Sequence, residues 1–215
     1  MTASAMLILA SASPRRRQLL ACLGLPFRIV VPDLDEDVAS SADLTPEDMA
    51  EALAHAKALS VAQREGGGLA LAADTLVVDG ETILGKPRDA EAATSMLRRL
   101  RDREHRVITG LALVDAGRST AILVDHVTTA VHMRPYSDDE IAAYIARGEP
   151  FDKAGAYAIQ DPQFRPVASY DGCYCNVVGL PLRAVIRLLR RAGLDITDDH
   201  LAGLPAECAG CPVEI

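Results

Sequence analysis

The hydrophobic and polar positions at the start of the chain switch between strand and helix patterns. Met6 to Ala10 is a continuous apolar run typical of a buried strand, and Phe27 to Val31 predicts a second strand. Between them, Ser13-Pro14 supplies an N-cap and a first-turn proline for a helix that ends before Gly24. This segment therefore predicts a strand, a tight turn, a helix and a second strand.

Helical and alternating patterns continue along the rest of the chain. A helix starts at the capping pattern Thr45 to Asp48, and strand-like runs surround Asp74-Thr75. The remaining predicted elements are a strand at Thr82–Leu84, helices at Ala90–Arg101, Ser137–Gly148 and Pro181–Arg191, and a hairpin of His105–Val114 with Thr120–His132. Early alternation of strands and helices, followed by a long hairpin, predicts an α/β domain. Its mixed, twisted sheet is flanked by helices.

Composition and charge narrow the class of protein. The chain has 215 residues, of which 49% are hydrophobic and 24% charged, as in an ordinary globular domain. Its 30 acidic and 22 basic residues give a net charge of −8, which argues against broad binding to nucleic acid or anionic lipid. No apolar run approaches the roughly 20 residues of a membrane span, and the arginines follow the first apolar run instead of preceding it. We expect a cytoplasmic protein whose phosphate-binding site, if it has one, is local.

The five cysteines fit reduced thiols better than a disulfide framework, because their number is odd and they are spread over a mid-sized chain. Cys208 and Cys211 have the spacing of half a zinc site, which Cys173 and Cys175 would complete to four thiolates. The Cys-x-Cys spacing is a poor match to known zinc sites. We therefore favour a plain reduced C-terminal tail, or a disulfide formed on handling, over bound zinc.

Two groups of residues are typical of a site for polyphosphate. Ser11, Ser13, Arg15 and Arg16 lie where a strand ends and a helix starts, and helix N-termini and arginines both bind phosphate. The alternative, in which Ser13 only caps the helix and the arginines are solvated, stays open. Asp74 lies within an apolar strand, where a carboxylate needs a partner or a function.

Further candidates are isolated charges. Carboxylates such as Glu36 follow the second strand, and Mg²⁺ bound to a triphosphate takes one or two such ligands. Lys57, Lys86 and Lys153 lie among small or apolar residues, which suits a crowded polyphosphate, although each could also pair with a nearby acid. The histidines show no metal-ligand spacing, and we interpret them as structural.

Six ordered segments resemble the Maf-type nucleoside triphosphate pyrophosphatases. They span roughly residues 7 to 190, and their order along the chain makes them a specific signal although each is weak alone. The segments are Leu9–Arg16, Ala56–Ala58, Ala73–Val78, Leu84–Pro87, Gly148–Gln160 and Asn176–Leu182.

The resemblance implies cleavage of a nucleoside triphosphate to its monophosphate and pyrophosphate, with Mg²⁺ or Mn²⁺ as cofactor. It also implies an elongated α/β fold with a deep central cleft and a homodimer. By motif, Asp74 resembles the general base, with Lys57 and Lys86 beside it in catalysis. Phosphate contacts are implied for Ser11, Ser13, Arg16, Lys57, Lys86 and Lys153. Glu36 resembles a metal-binding or water-positioning acid, and Asp74 resembles a metal ligand as well.

Arg15, Thr75 and Gln160 follow the pattern of the dTTP/UTP branch of this family, with modified pyrimidine nucleotides as further candidate substrates. The sequence departs from the family after Gln160, where Asp161 to Val167 replaces the usual glycine. Pyrophosphatases acting on 7-methyl-GTP or on deaminated purine triphosphates, and a nucleotide-binding regulator of septum formation, are the alternative functions. We assign residues 1–194 to the catalytic domain and residues 195–215 to a C-terminal extension without a family counterpart.

Overall fold

The computed structural model describes residues 6–34, 44–118 and 120–215, and a seven-stranded mixed sheet forms its centre. The strand order is β2-β1-β3-β5-β6-β7, and β4 pairs with β3. The strands are β1 (Leu7–Ala10), β2 (Phe27–Val30), β3 (Leu69–Asp79), β4 (Thr82–Leu84), β5 (Glu104–Asp115), β6 (Thr120–Met133) and β7 (Val167–Asp171).

Helices flank the sheet, and the predicted N-caps are confirmed. Ser13 and Thr45 accept backbone N–H groups of the first turns of their helices, and Ser137 forms a reciprocal capping box with Glu140. The helices are α1 (Pro14–Ala21), α2 (Pro46–Glu65), α3 (Ala90–Leu100), α4 (Asp138–Ala146), α5 (Tyr174–Val178), α6 (Leu182–Arg191) and α7 (Asp198–Ala202).

The mixed character of the sheet is confirmed, since β1 pairs in parallel with β2 and β3 while the other pairs are antiparallel. The two strand-like runs around Asp74-Thr75 form one continuous strand, β3. The short elements β7 and α5 were not predicted. Strand β7 is mostly exposed, so its side chains carry little of the hydrophobic pattern that would identify it.

Strand β3 has an open stretch along one edge. β1 pairs with Leu69 to Leu71, and β4 pairs with Val77 to Asp79 on the same side, since β5 occupies the other. In the described part of the chain, no strand pairs with residues 72–76 on this side. Side chains from both faces of β3 therefore reach one gap in the sheet.

Helix α2 packs on one face of the sheet through small side chains. The cluster between them contains little but alanine and valine, from Ala54, Ala58 and Ala62 of the helix to Ala70, Ala72 and Ala112 of the sheet. At Gly110 the approach is closest, because a Cβ there would lie 2.2 Å from the carbonyl of Ala50. Gly110 is also the β5 partner of Asp74 in β3, so this contact is beside the carboxylate singled out above.

The segment after residue 194 packs against the core on the opposite side of the sheet. Ile196, Cys208 and Cys211 are buried there among residues of α1 and α6. The domain boundary after residue 194 stays a prediction. Among the described helices, none combines the length and the apolar surface needed to cross a bilayer.

A second core contains the buried pair His105 and Tyr157. The imidazole Nε2 lies 2.8 Å from the tyrosine hydroxyl, and His105 is 3% exposed. Burial lowers the pKa of His105 to about 4, against a smaller opposing effect of the Asp79 carboxylate. His105 is therefore a neutral structural residue at physiological pH.

We expect Gly110→Ala to destabilise the fold strongly. The added methyl would collide with the backbone of α2, which must move away from the sheet. Overpacking of this kind costs about 1–3 kcal/mol or more, and thermal unfolding should show a lower Tm. Gly67→Ala is the matched control, because its Cβ would meet nothing within 4 Å. Equal melting temperatures for the two variants would contradict the close contact.

The burial of His105 predicts a pH-dependent stability. The unfolded chain binds a proton near pH 6.5, while the folded chain holds His105 neutral down to about pH 4. The free energy of unfolding should therefore be highest above pH 6.5. It should decrease as the pH falls toward 4, by up to about 1.4 kcal/mol per pH unit. Urea unfolding at several pH values measures this loss. His105→Gln should reduce the slope of the unfolding free energy against pH, and the exposed control His132→Gln should keep it. An unchanged slope in His105→Gln would mean that His105 does not cause the pH dependence.

Candidate active site

A cavity of about 620 Å³ opens at the unpaired stretch of β3. Its volume is in the range of sites for nucleotide-sized ligands. The structure brings ten of the predicted site residues into its wall: Ser11, Ser13, Arg15, Arg16, Lys57, Asp74, Thr75, Lys86, Lys153 and Gln160. The remaining predicted residue, Glu36, lies outside the described residues.

Lys57 and Asp74 form an ion pair at the centre of the cavity wall. The ammonium of Lys57 lies 2.5 Å from a carboxylate oxygen of Asp74, and the two side chains are 11% and 14% exposed. Helix α2 positions the lysine, and β3 positions the aspartate directly opposite Gly110. A carboxylate held this way on a cavity wall has the position needed to accept a proton from a ligand.

Hydrogen bonds on the other face of β3 hold the guanidinium of Arg16 in place. Its Nε donates to the carbonyl of Gly179 at 2.8 Å, and Nη2 donates to the Thr75 hydroxyl at 3.0 Å. The Thr75 hydroxyl lies 2.9 Å from that of Thr109, which donates to the Asn176 carbonyl. Thr75 thus orients Arg16, and a buried chain of hydrogen bonds holds both in place.

Gly179 makes room for this arrangement. Its φ of 120° lies in the region that favours glycine, and a Cβ there would lie 3.3 Å from the Thr75 hydroxyl oxygen. Any larger residue would press on the side chain that holds Arg16.

Sequence reasoning missed Asp152, which joins two of the predicted cationic residues. Its carboxylate accepts from Arg15 at 2.7 Å and from Lys153 at 2.7 Å. Lys153 also contacts Glu149, and the Lys153 side chain is only 10% exposed. The adjacency of Asp152 to Lys153 is the signal in the sequence that could have identified it.

Ser11 and Ser13 form the turn between β1 and α1. The backbone N–H of Ser13 donates to the Ser11 hydroxyl at 3.1 Å, and the Ser13 hydroxyl caps α1 by accepting from the Arg16 N–H. The N-terminus of α1 therefore lines the cavity together with the arginines, an arrangement that attracts anions. Ser13 therefore caps α1 and also forms part of the cavity wall.

Gln160 is exposed at the rim of the cavity. The reason is the next residue. Asp161 is buried and accepts two hydrogen bonds of 2.8 Å from Arg147, and the backbone N–H groups of Gln163 and Phe164 also donate to it. These contacts fold the departure from the family pattern into a tight turn, which leaves Gln160 on the outer side.

The charges of the cavity wall contrast with those of the whole chain. Among the described lining residues are five basic side chains and two carboxylates, in a protein with a net charge of −8. The carboxylates are Asp74 and Asp152. Local positive charge of this kind suits a polyphosphate.

Comparison with known proteins agrees with this chemistry. The family described as Maf-like protein matches residues 6–192. A dTTP/UTP pyrophosphatase from Thermomicrobium roseum is 54% identical over 207 residues, 96% of this chain and 93% of that protein. A dTTP/UTP pyrophosphatase from Geotalea uraniireducens is 48% identical over 90% of this chain and 98% of that protein.

Among solved structures, a HAM1 protein from Coxiella burnetii superposes with a TM-score of 0.42. It is 19% identical, and the match covers 60% of this chain and 73% of that one. The extent of the family match and the identity to the curated relatives decide the assignment: this chain belongs to the Maf-like protein family.

Proposed function

We propose that this protein hydrolyses dTTP and UTP between the α- and β-phosphates and releases the nucleoside monophosphate and pyrophosphate. The observation that carries the proposal is the gathering of five basic side chains around Asp74 in one cavity of an acidic protein. The names of the relatives, dTTP/UTP pyrophosphatases, support the choice of nucleotide. The cytoplasmic location and the homodimer stay predictions.

The triphosphate binds along the basic side of the cavity. Arg16 is held by two hydrogen bonds and Lys153 is largely buried, so neither loses much side-chain freedom on binding. Arg15 and Lys86 lie on more open parts of the wall and close on the phosphates from outside. These cations neutralise the charge that gathers at the bridge between the α- and β-phosphates as it breaks.

Asp74 serves as the general base. Its carboxylate takes the proton of the attacking water, and Lys57 keeps that carboxylate oriented through the ion pair of 2.5 Å. The close packing of α2 beside Gly110 excludes solvent from this side of the pair. The water therefore approaches from the cavity, where the phosphates are bound.

A divalent cation, Mg²⁺ or Mn²⁺, fits this site as one that enters with the triphosphate. In the described ranges, no group of three or more His, Cys, Asp or Glu is arranged to hold an ion alone. Mg²⁺ commonly takes one or two carboxylates and completes its shell with phosphate oxygens and water. Asp74 and Glu36 would hold it, and a bound ion would stabilise charge on the phosphate oxygens.

Gln160 reads the base at the rim of the cavity. A neutral amide both donates and accepts, which matches the O2, N3–H and O4 edge of uracil or thymine, whereas an ionised Glu only accepts. The turn built on Asp161 and Arg147 keeps Gln160 at the rim until a nucleotide covers it.

Product analysis tests the proposed reaction. Incubation with UTP or dTTP and Mg²⁺ should yield the monophosphate and pyrophosphate, separated by ion-exchange chromatography. Orthophosphate together with the nucleoside diphosphate would mean a different bond is cut and would overturn the proposal. Full turnover in the presence of EDTA would show that the reaction needs no divalent cation.

Asp74→Asn should lower turnover by roughly 10²- to 10⁴-fold, because the amide keeps the shape of the side chain and cannot take the proton. Steady-state kinetics with UTP measures the loss, and circular dichroism shows whether the fold is kept. Asp195→Asn is the matched control, since Asp195 is exposed and does not line the cavity. Near-normal turnover of Asp74→Asn at saturating substrate would place the base elsewhere.

Gln160→Glu should reduce kcat/KM for UTP and dTTP by about 5- to 150-fold, the effect of losing one hydrogen bond in the covered complex. Values for purine triphosphates should change much less. Gln163→Glu adds the same charge at an exposed neighbour outside the cavity wall and serves as control. A wild-type preference for GTP or 7-methyl-GTP over the pyrimidines would contradict base reading by Gln160.

A further inference from the structure

Four buried cysteines lie together on the far side of the core, outside the cavity. Cys173 and Cys175 are at the start of α5, and Cys208 and Cys211 belong to the segment after residue 194. All four are free thiols, with exposures between 0% and 8%. None of them has a part in the proposed hydrolysis.

The closest contact in this group joins the two segments. The Sγ atoms of Cys175 and Cys208 are 3.0 Å apart. Sulfurs that share a zinc ion at about 2.3 Å in a tetrahedron lie roughly 3.8 Å apart, so this contact is too short for two ligands of one ion. This geometry favours bonding between the two sulfurs.

We propose that Cys175 and Cys208 are a site of oxidative modification, at which a hydroperoxide converts the thiol pair into an intramolecular disulfide. The Cys208 thiolate attacks the peroxide oxygen and becomes a sulfenic acid. The Cys175 thiol then attacks that sulfur and releases water. With hydrogen peroxide, two thiols give one disulfide, and the peroxide is reduced to two waters.

The surroundings assign the order of these steps. The hydrogen bond from Cys175 lowers the pKa of the Cys208 thiol, with a further contribution from Arg183 that opposes the effect of burial. Cys208 is therefore the attacking sulfur and Cys175 the resolving one. Cys22 is exposed, so it is an internal reference for unspecific oxidation.

Access to the buried pair comes from local opening of the segment that carries Cys208. The helical elements around it are short, α7 with five residues and a single turn at Ala206–Cys208. Local opening of a segment held by such short elements needs less free energy than global unfolding, and it admits a small peroxide.

The disulfide would tie the C-terminal segment to the element that supports Arg16. Helix α5 leads directly to Gly179, whose carbonyl accepts from Arg16. The cross-link spans 33 residues along the chain, so the unfolded state loses much of its freedom. The oxidised form is thus the more heat-resistant form of the same fold.

Peptide mapping under non-reducing conditions tests the proposal. The full chain is purified with reductant, freed of it, and titrated with hydrogen peroxide. We expect a linked pair of peptides that contains Cys175 and Cys208, and a rise in Tm of roughly 5–10 °C that dithiothreitol reverses. The link and the rise in Tm should persist in Cys22→Ser and be lost in Cys208→Ser and Cys208→Ala.

Three results would overturn it. One is a link between Cys173 and Cys211 in place of the expected pair. Another is oxidation of Cys22 with no linked peptides in the wild-type chain, a readout that needs no variant to fold. The third is stoichiometric zinc in the reduced protein, lost in Cys208→Ser, which would make the four thiols a metal site.

Discussion

The close contact between helix α2 and the sheet is the constraint on which the site depends. Alanines of the helix face alanines of β3 and β5, and Gly110 removes the last Cβ that would hold the two apart. Because the helix lies so near the sheet, Lys57 reaches Asp74 across a distance of 2.5 Å. A bulkier interface would separate the ammonium from the carboxylate and leave both charges poorly compensated in a half-buried place.

The gap along β3 is the second condition, and it explains how one cavity collects residues from opposite faces of a sheet. Asp74 and Thr75 are neighbours in a strand, so their side chains point to opposite sides. Where no strand covers the edge, the helix on each side contributes to a common wall: α2 brings Lys57 to Asp74, and α1 brings Arg16 to Thr75. The open edge of β3 is thus as necessary for the cavity as the residues that line it.

Local chemistry made much of the fold predictable. Ser13-Pro14 and Ser137 to Glu140 specify helix starts through their own hydrogen bonds, and the long apolar runs specify strands. Strand β7 and helix α5 were not predicted from the sequence, because contacts with distant elements hold them, such as the pairing of β7 with β6. No local pattern encodes such a contact.

The site residues, like the elements of the fold, divide into those predictable from local sequence and those that depend on distant contacts. The ten residues in the cavity wall were singled out by isolated charges and by resemblance, whereas several of the residues that hold them in place, such as Asp152 and Thr109, were not. In the sequence, Thr109 looks like an ordinary strand residue, and its role depends on its position opposite Thr75 in the sheet. Asp161 looks like a disruption of the family pattern, and its role depends on its ion pair with Arg147. Both depend on residues far away in the sequence or on another element, which a reading along the chain does not reveal.

Asp152 provides an internal anion in the cavity wall. Arg15 and Lys153 already share its carboxylate, so under the proposed function a triphosphate would exchange one anionic partner for another at these two positions. Fewer dissolved ions are then released than the number of basic side chains suggests, and added salt competes with a contact that is already satisfied. Nucleotide affinity should accordingly vary less with ionic strength than in a pocket whose cations face only water.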